Sequence, residues 1–183
     1  LYHRGDWYYA NEAETKELFS GLGKDLLRLS LGCYFAELTE ALTAEGEESG
    51  ELLRHLLNGL YAIENFRRPP ELLRAAFELR AMSLAGYEPL LAGCAFCGKE
   101  QPEEPVLYLG CGVLRCRRCG SGGTGMPLDA DALAAARHVL YGDPKRLYGF
   151  TLGEESLRRL SAAAEAFTLA QLERGFRTLD YYK

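Results

Sequence analysis

Two Cys-x-x-Cys pairs constrain this chain more than any other feature of its sequence. Cys94 and Cys97 form the first pair, Cys116 and Cys119 form the second, and the 18 residues 98–115 separate them. Two thiolates on one tight turn can bind the same cation, and two such turns complete a tetrahedral set of ligands. A spacing of this length is typical of a zinc site. The connector PVLYLGCGVLR alternates apolar residues about a glycine turn, which predicts a short β-hairpin and therefore a zinc ribbon.

A site closed by four thiolates has no open position for water, so we expect one structural Zn²⁺ rather than a catalytic metal. Iron in a rubredoxin-like cage is the alternative. Gly98 and Gly120 follow the two pairs, and glycine readily adopts the left-handed backbone that such turns often use. Cys111 can in principle replace a ligand, but a buried thiol on the hairpin is the preferred interpretation. Cys33 lies on an apolar helical stripe and is predicted to be a core residue.

Composition limits the classes of function that remain. The 183 residues are 48% hydrophobic, which is enough for a core that does not depend on metal alone. The net charge of −5 argues against nonspecific nucleic-acid binding by the whole surface, so any basic contact site must be local. Cysteines in ligand spacing indicate a reducing interior. The sequence contains no signal peptide and no membrane-spanning apolar run, which predicts a soluble protein without membrane contact.

Apolar residues recur at helical spacing through most of the chain, which predicts a mainly α fold: a bundle of about five helices. The four-cysteine zinc ribbon is inserted between the third and fourth helices. The acidic stretch 43–51 is interpreted as a solvated turn, with a functional acidic segment as the alternative. The predicted helices cover 20–44, about 52–63, 71–86, a stretch capped by Asp129, and a long final helix from Thr151 to Leu179.

Several arginines are candidates for binding. Arg80 falls on the apolar stripe of the third helix, where it either lies along the core edge with its head in water or binds a partner's carboxylate. The ribbon carries Arg115, Arg117 and Arg118, with Lys99 on the other knuckle. These side chains either contact DNA phosphates or balance the charges of three acidic residues on the hairpin: Glu100, Glu103 and Glu104.

The sequence offers little from which to build an active site. His3, His55 and His138 have no motif context. The glycine-rich run 120–125 follows a zinc knuckle rather than a strand, so it fits a phosphate-binding loop poorly. We therefore predict that the protein is not an enzyme and has no catalytic residues.

Four stretches resemble the C-terminal part of RecO, a family of bacterial recombination mediators. The most specific is FELRAMSLAGYEPLLAGCAFCG (77–98), in which a helix passes through Gly-Tyr-x-Pro into the first knuckle. DLLRLSLGCYFAELTEAL (25–42), TLGEESLRRL (151–160) and LERGFRTLDYY (172–182) are similar to the family's first long helix, last helix and end. The resemblance covers nearly the whole chain.

The resemblance implies a division of the chain into four parts. Residues 1–15, with the strand-like WYYA, would be the last strand of an N-terminal OB-fold domain, most of which is absent from this sequence. The helical bundle would then comprise 16–91 and 123–183, with the ribbon at 92–122 between them. The cysteines of the two pairs match the zinc ligands of the family.

The resemblance also implies a function. RecO proteins act in DNA repair in the bacterial cytoplasm, associated with the nucleoid. They bind single- and double-stranded DNA, here expected mainly through the missing domain, and they anneal strands. With RecR they assist RecA loading onto DNA coated by single-stranded DNA-binding protein, whose acidic C-terminal tail binds their helical part. Candidates for contacting that tail are Arg80, Arg146 and Arg177. The alternative is a zinc-ribbon adaptor that binds only protein partners.

Overall fold

The computed structural model describes residues 2–5, 7–46, 48–65, 68–120 and 122–183. Leu1 and Asp6, in the predicted OB-fold remnant, and Ser121, in the predicted ribbon, lie outside the described residues. The described helices are α1 (Leu26–Leu42), α2 (Gly50–Asn65), α3 (Pro70–Leu84), α4 (Ala130–Tyr141), α5 (Glu154–Leu172) and α6 (Arg177–Tyr182). The strands are β1 (Tyr2–Arg4), β2 (Trp7–Tyr9), β3 (Pro105–Tyr108), β4 (Val113–Cys116) and β5 (Gly125–Pro127). Short 3₁₀ turns cover Ser20–Lys24, Arg117–Cys119 and Pro144–Arg146.

The beginnings of the helices follow from their first residues. The Asp129 carboxylate accepts a hydrogen bond from the amide of Ala132, which confirms the predicted cap of α4. Asp25 caps α1 in the same way through the amide of Arg28. Because Asp25 has an extended backbone (φ −151°, ψ 160°), the predicted helix 20–44 is wrong at its beginning, and Ser20–Lys24 forms a separate 3₁₀ turn.

The predicted long final helix is also wrong in one respect, because it breaks into α5 and α6. Glu173 adopts a left-handed backbone with φ 50° at the end of α5. The chain then turns back, and Phe176 and Leu179 are buried against α1. The break gives six described helices instead of five, because burying these two side chains outweighs continuing a solvated helix.

Two apolar clusters form the core, and α3 contributes to both. One cluster combines α3, α4 and α5 with Leu107 and Leu114 of the ribbon sheet. The other combines α1, α2, α3 and α6, and in it the rings of Phe35 and Phe77 stack with centroids 3.7 Å apart. The fold is therefore mainly α, with the ribbon inserted between α3 and α4 as the sequence predicts.

The ribbon sheet has three antiparallel strands in the order β4–β3–β5. The predicted hairpin is β3 and β4, paired through Leu107 and Leu114. The third strand was not predicted: Gly125–Pro127 pairs with β3 through Met126 and Leu107. The backbone of Gly125–Pro127 pairs with β3 there, and Met126 lies beside the buried Leu107.

Two predictions about single cysteines are wrong. Cys111 lies exposed in the turn between β3 and β4, and Cys33 is exposed on the outer side of α1. Leu26 and Leu29, which share the stripe that suggested a core position for Cys33, are exposed as well. Among the described helices, none combines the length and the apolar character that crossing a membrane requires.

The predicted strand WYYA corresponds to β2, which pairs with β1 so that Tyr2 faces Tyr9 and Arg4 faces Trp7. Tyr2 and Tyr9 stack with ring centroids 5.1 Å apart, and Trp7 is 72% exposed.

Candidate metal centre and cationic cavity

Each Cys-x-x-Cys pair sits on a tight turn closed by a backbone hydrogen bond. The amide of Gly98 donates to the carbonyl of Cys94 at 2.8 Å, and the amide of Gly120 donates to that of Cys116 at 3.1 Å. Gly98 has φ +73°, the left-handed backbone expected of it. Gly120 does not: its φ is −72°, and a Cβ there would lie 2.2 Å from the Tyr108 hydroxyl, so the Tyr108 side chain would have to shift.

The two turns bring four sulfur atoms together. The Sγ atoms of Cys94, Cys97, Cys116 and Cys119 all lie within 4.8 Å of one another. Cys94 Sγ and Cys97 Sγ lie 3.9 Å and 4.0 Å from Cys116 Sγ. Four ligands about 2.3 Å from a tetrahedral metal ion are separated by about 3.8 Å, so the observed spacing suits such an ion. The cluster can therefore hold a metal.

The thiols differ in how readily they lose a proton. Burial raises the pKa of Cys94, but amide donors from Cys97, Cys116 and Phe96 outweigh it and lower the pKa to about 6. Hydrogen bonding to Cys116 and burial raise the pKa of Cys119 to about 12. One thiolate is thus favoured, and the sulfurs around it oppose further negative charge. A bound cation removes this opposition, since it stabilises all four thiolates at once.

Arg137 of α4 attaches the first knuckle to the bundle, a role that the sequence did not suggest. Its Nε donates to the carbonyl of Leu91 at 2.8 Å. Its Nη2 donates to the carbonyls of Ala92 and Glu100 at 3.0 Å and 2.6 Å. The contact joins residues that lie far apart in sequence, so no local pattern marks it.

The candidate DNA contacts of the ribbon are largely engaged within the protein. Arg117 Nη1 pairs with Glu104 at 2.6 Å, and Lys99 Nζ pairs with Glu103 at 2.7 Å. The Arg115 guanidinium lies over the ring of Tyr108, 5.0 Å from its centroid. Arg118 is exposed. The structure thus contains the charge balance that the sequence offered as one of two interpretations.

A second site lies between α2, α3 and the segment 144–149. It is a cavity of about 910 Å³. Leu73, Leu84 and Leu147 supply apolar walls, and Tyr61 and Tyr148 add aromatic surface. Cations also line it, with one carboxylate: Arg54, Arg68, Arg80, Lys145 and Glu51. A cavity that combines cations with apolar walls suits an anionic ligand that also carries an apolar group.

The structure places the three predicted tail contacts differently. Arg80 lines the cavity, and its Nη1 donates to the carbonyl of Leu140 at 2.9 Å. Arg146 is exposed in the 3₁₀ turn Pro144–Arg146, where its neighbour Lys145 lines the cavity. Arg177 is the first residue of α6 and is exposed beside α1. The structure therefore does not bring the three arginines together.

The cavity cations are available for a ligand. Among the described residues, Arg54, Arg68, Arg80 and Lys145 form no ion pair with a carboxylate. Arg68 Nε donates to the carbonyl of Tyr148 at 3.1 Å, which orients that guanidinium. The Tyr148 hydroxyl is buried without a hydrogen-bond partner, and burial raises its pKa.

Comparison with known proteins identifies the family. The family described as "Recombination protein O C terminal" matches residues 23–180, from the turn before α1 into α6. This chain belongs to the recombination protein O family. The match to the family includes the metal cluster and every residue of the cationic cavity, and only β1, β2 and the segment after them precede it.

Relatives of the recombination protein O family match most of this chain. The DNA repair protein RecO of Symbiobacterium thermophilum is 31% identical over 93% of this chain and 69% of its own length. The DNA repair protein RecO of Acetivibrio thermocellus is 26% identical over 100% of this chain and 73% of its own length. That of Clostridium kluyveri is 34% identical over 65% of this chain and 46% of its own.

Proposed function

We propose that this protein acts in DNA repair as a recombination mediator and not as an enzyme. Its part in the process is to assist RecA loading onto single-stranded DNA coated by single-stranded DNA-binding protein, together with RecR, and to support strand annealing. Membership of the recombination protein O family and the names of its relatives support the role in repair. The cationic cavity carries the structural side of the proposal.

The cavity is the proposed site for the acidic C-terminal tail of single-stranded DNA-binding protein. Such a tail presents carboxylates beside an apolar aromatic group. Arg54, Arg68 and Lys145 line the cavity and can pair with the carboxylates of the tail. A guanidinium binds a carboxylate through two parallel hydrogen bonds. The apolar walls around Leu73 and Leu147 suit the aromatic group. Arg80, already bonded to the carbonyl of Leu140, would contribute charge rather than a free pair of donors.

The metal in this proposal is one structural Zn²⁺, held by Cys94, Cys97, Cys116 and Cys119. Four thiolates and tetrahedral spacing favour zinc or iron, and a closed zinc site serves structure. The ion would keep the two knuckles folded, and Arg137 would keep the first of them on α4. Metal analysis of the purified protein tests the identity of the ion, with zinc expected at one per chain.

Peptide binding tests the proposed function. We expect a fluorescent acidic peptide that ends in an apolar aromatic residue with a free carboxylate to bind the protein, as measured by anisotropy. Arg54→Gln and Lys145→Gln should each weaken binding by about tenfold, because one charge-assisted contact is lost. Arg177→Gln is the matched control, since Arg177 lies outside the cavity. Equal loss in all three variants, or no binding by the wild type, would contradict the proposal.

The alternative function is a zinc-ribbon adaptor that binds only protein partners. One observation favours it: Arg117 and Lys99 of the ribbon pair with glutamates instead of standing free for phosphates. Strand annealing decides between the two when the chain is preceded by the N-terminal segment of a longer relative. A mediator anneals complementary strands, and its DNA affinity falls steeply as salt rises. An adaptor neither anneals strands nor binds DNA, even at low salt.

A further inference from the structure

The outer side of α1 and α2 carries apolar side chains that nothing in the described chain covers. On α2, Leu53 is 54% exposed and Leu57 is 43% exposed. On α1, Leu29 is 47% exposed, and Cys33 and Ala36 at helical spacing beyond it are exposed as well. Scattered exposed leucines are normal on a protein surface, but two aligned rows on neighbouring helices are not scattered.

The two rows border the contact between α1 and α2, and the surface between the rows is called the groove below. Leu31 on α1 and Leu52 on α2 face the core and are buried. Further around each helix the two elements are in contact, because a Cβ on Gly32 would lie 3.5 Å from Cδ2 of the Leu60 side chain. The exposed rows lie beyond this contact, on the side away from the core. Cys33 and Ala36 on the α1 side are small, so this part of the groove has room for inserted side chains.

The chain itself fills one end of this groove. Leu22, from the 3₁₀ turn Ser20–Lys24, places its Cδ1 3.5 Å from the same position on Gly32. The amide of Gly21 donates to Glu64 Oε1 at 2.7 Å and fixes the turn there. Leu22 shows how an apolar side chain seats between α1 and α2. The rest of the groove, towards Ala36 and Leu53, stays open.

The open end of the groove is acidic. Residues 40–48, the last turn of α1 and most of its connection to α2, contain Glu40, Glu45, Glu47 and Glu48 and neither lysine nor arginine. Glu40, Glu45 and Glu48 are exposed, whereas Glu51 of α2 lines the cationic cavity. This charge favours a partner with cationic residues at the corresponding end. It disfavours a second copy of this chain, whose net charge is −5.

We propose that this groove binds an amphipathic helix of another protein. The helix presents apolar side chains at spacing i, i+3 or i+4, i+7 to Ala36, Leu53 and Leu57, and lysines or arginines at one end to the acidic stretch 40–48. The opposite side of α2 lines the cationic cavity, so the two sides of this helix select ligands of opposite charge. The groove is thus an interaction surface separate from the proposed tail site.

A designed peptide is the probe. It has about four helical turns, leucines on one face and three lysines at one end; a matched peptide carries three glutamates in their place. Anisotropy with the 183-residue chain should show the lysine peptide binding at least about tenfold more tightly than the glutamate peptide. Its affinity should fall as salt rises, because exposed charges are screened.

Variants locate the site. Leu53→Gln and Leu57→Gln should each weaken the lysine peptide by about tenfold while the acidic tail peptide binds as before. Because both leucines are exposed, the fold should persist, which circular dichroism checks. Leu90→Gln, at a leucine 62% exposed outside α1 and α2, is the matched control and should leave binding unchanged.

Three outcomes overturn the proposal. Equal affinity for the two peptides would show that the acidic stretch does not discriminate between cationic and anionic partners. Unchanged binding in Leu53→Gln and Leu57→Gln would place the peptide elsewhere. Sedimentation that shows a dimer of the wild type, abolished by Leu57→Gln, would assign the groove to a second copy of this chain.

Discussion

Arg74 is the residue on which the polar part of the interior depends. Its Nη1 lies 2.8 Å from Glu78 Oε1 and 2.9 Å from Glu165 Oε2. Its Nη2 donates to Ser161 Oγ at 2.7 Å, and the Tyr34 hydroxyl donates to Glu78 Oε1 at 2.8 Å. These bonds connect α1, α3 and α5. Burial raises the pKa of Glu78 above its usual range although Arg74 opposes this change. Removing the charged pair from water therefore costs free energy that its ion pair only partly offsets.

Replacing Arg74 should destabilise the protein strongly. Arg74→Met leaves Glu78 fully buried without its cation, and we expect the free energy of unfolding to fall by about 3 kcal/mol or more in urea titrations. Arg117→Met, at an exposed ion pair, is the control and should unfold like the wild type. If the two variants were equally stable, the interior network would contribute nothing.

His55 should make stability depend on pH. Burial is the main cause that lowers the pKa of His55 to about 4, below its ordinary value. The folded protein therefore disfavours protonation, and the stability associated with neutral His55 is present above about pH 6.5 and is lost towards pH 4. Between roughly pH 7 and pH 5 the free energy of unfolding of the wild type should fall by about 2 kcal/mol relative to that of His55→Gln, which has no imidazole to protonate. Parallel pH profiles in urea unfolding would contradict this assignment.

Single residues were the least predictable level of the structure. An arginine and a glutamate four positions apart, such as Arg74 and Glu78, are typical of a solvated helix face, yet both are buried. Cys33 shows the reverse, since its apolar stripe is exposed. Periodicity reports which residues share a face. It does not report what covers that face.

At the scale of elements, one glycine lies where α2 packs on α1 and α3, and another lies on α1 where it meets α2. A Cβ on Gly59 would lie 2.9 Å from the rings of Phe35 and Phe77. A Cβ on Gly32 would meet Leu22 and Leu60 at an ordinary 3.5 Å. The first glycine is required by the stacked rings, and the second is not.

The two glycines should therefore respond oppositely to alanine. Gly59→Ala should lower the free energy of unfolding by about 1–2 kcal/mol, because overpacking the rings outweighs the better helix propensity. Gly32→Ala should raise it by about 0.5–1 kcal/mol, since only the propensity changes. Thermal unfolding followed by circular dichroism measures both. A stabilised Gly59→Ala would show that the rings have space to move.

Removing the metal should unfold part of the ribbon only. Leu107 and Leu114 are buried in the core shared with α4 and α5, so β3 and β4 have support besides the knuckles. With a chelator, or in Cys94→Ser, we expect hydrogen exchange to rise around 93–104 and 116–120 while helicity persists. Loss of the helical circular dichroism signal would mean that the bundle depends on the metal.

The sequence predicted the elements well where a cap or a spacing marks them, as at Asp129 and the cysteine pairs. It did not predict the break before α6, because α5 and α6 continue one apolar stripe and only the burial of Phe176 and Leu179 on α1 separates them. Strand β5 was hidden for a similar reason. Three residues pair with β3 only because the ribbon is already folded.

At the scale of the whole molecule, α3 belongs to both apolar clusters, so the metal cluster and the cationic cavity are attached to the same packed core. The metal cluster could be predicted because its ligands are marked by spacing. The cationic cavity could not, since its walls come from α2, α3 and the distant segment 144–149. Arg80 was the one clue in the sequence, as a cation on an apolar stripe.

The most direct test is to map the acidic tail peptide on the isotope-labelled protein by nuclear magnetic resonance. Binding in the cavity predicts that amide signals of Asn58, Tyr61 and Gly149 shift as peptide is added, while those of the ribbon residues Arg115–Arg118 stay in place. Shifts confined to the ribbon, or the absence of any shift at saturating peptide, would contradict the proposed function.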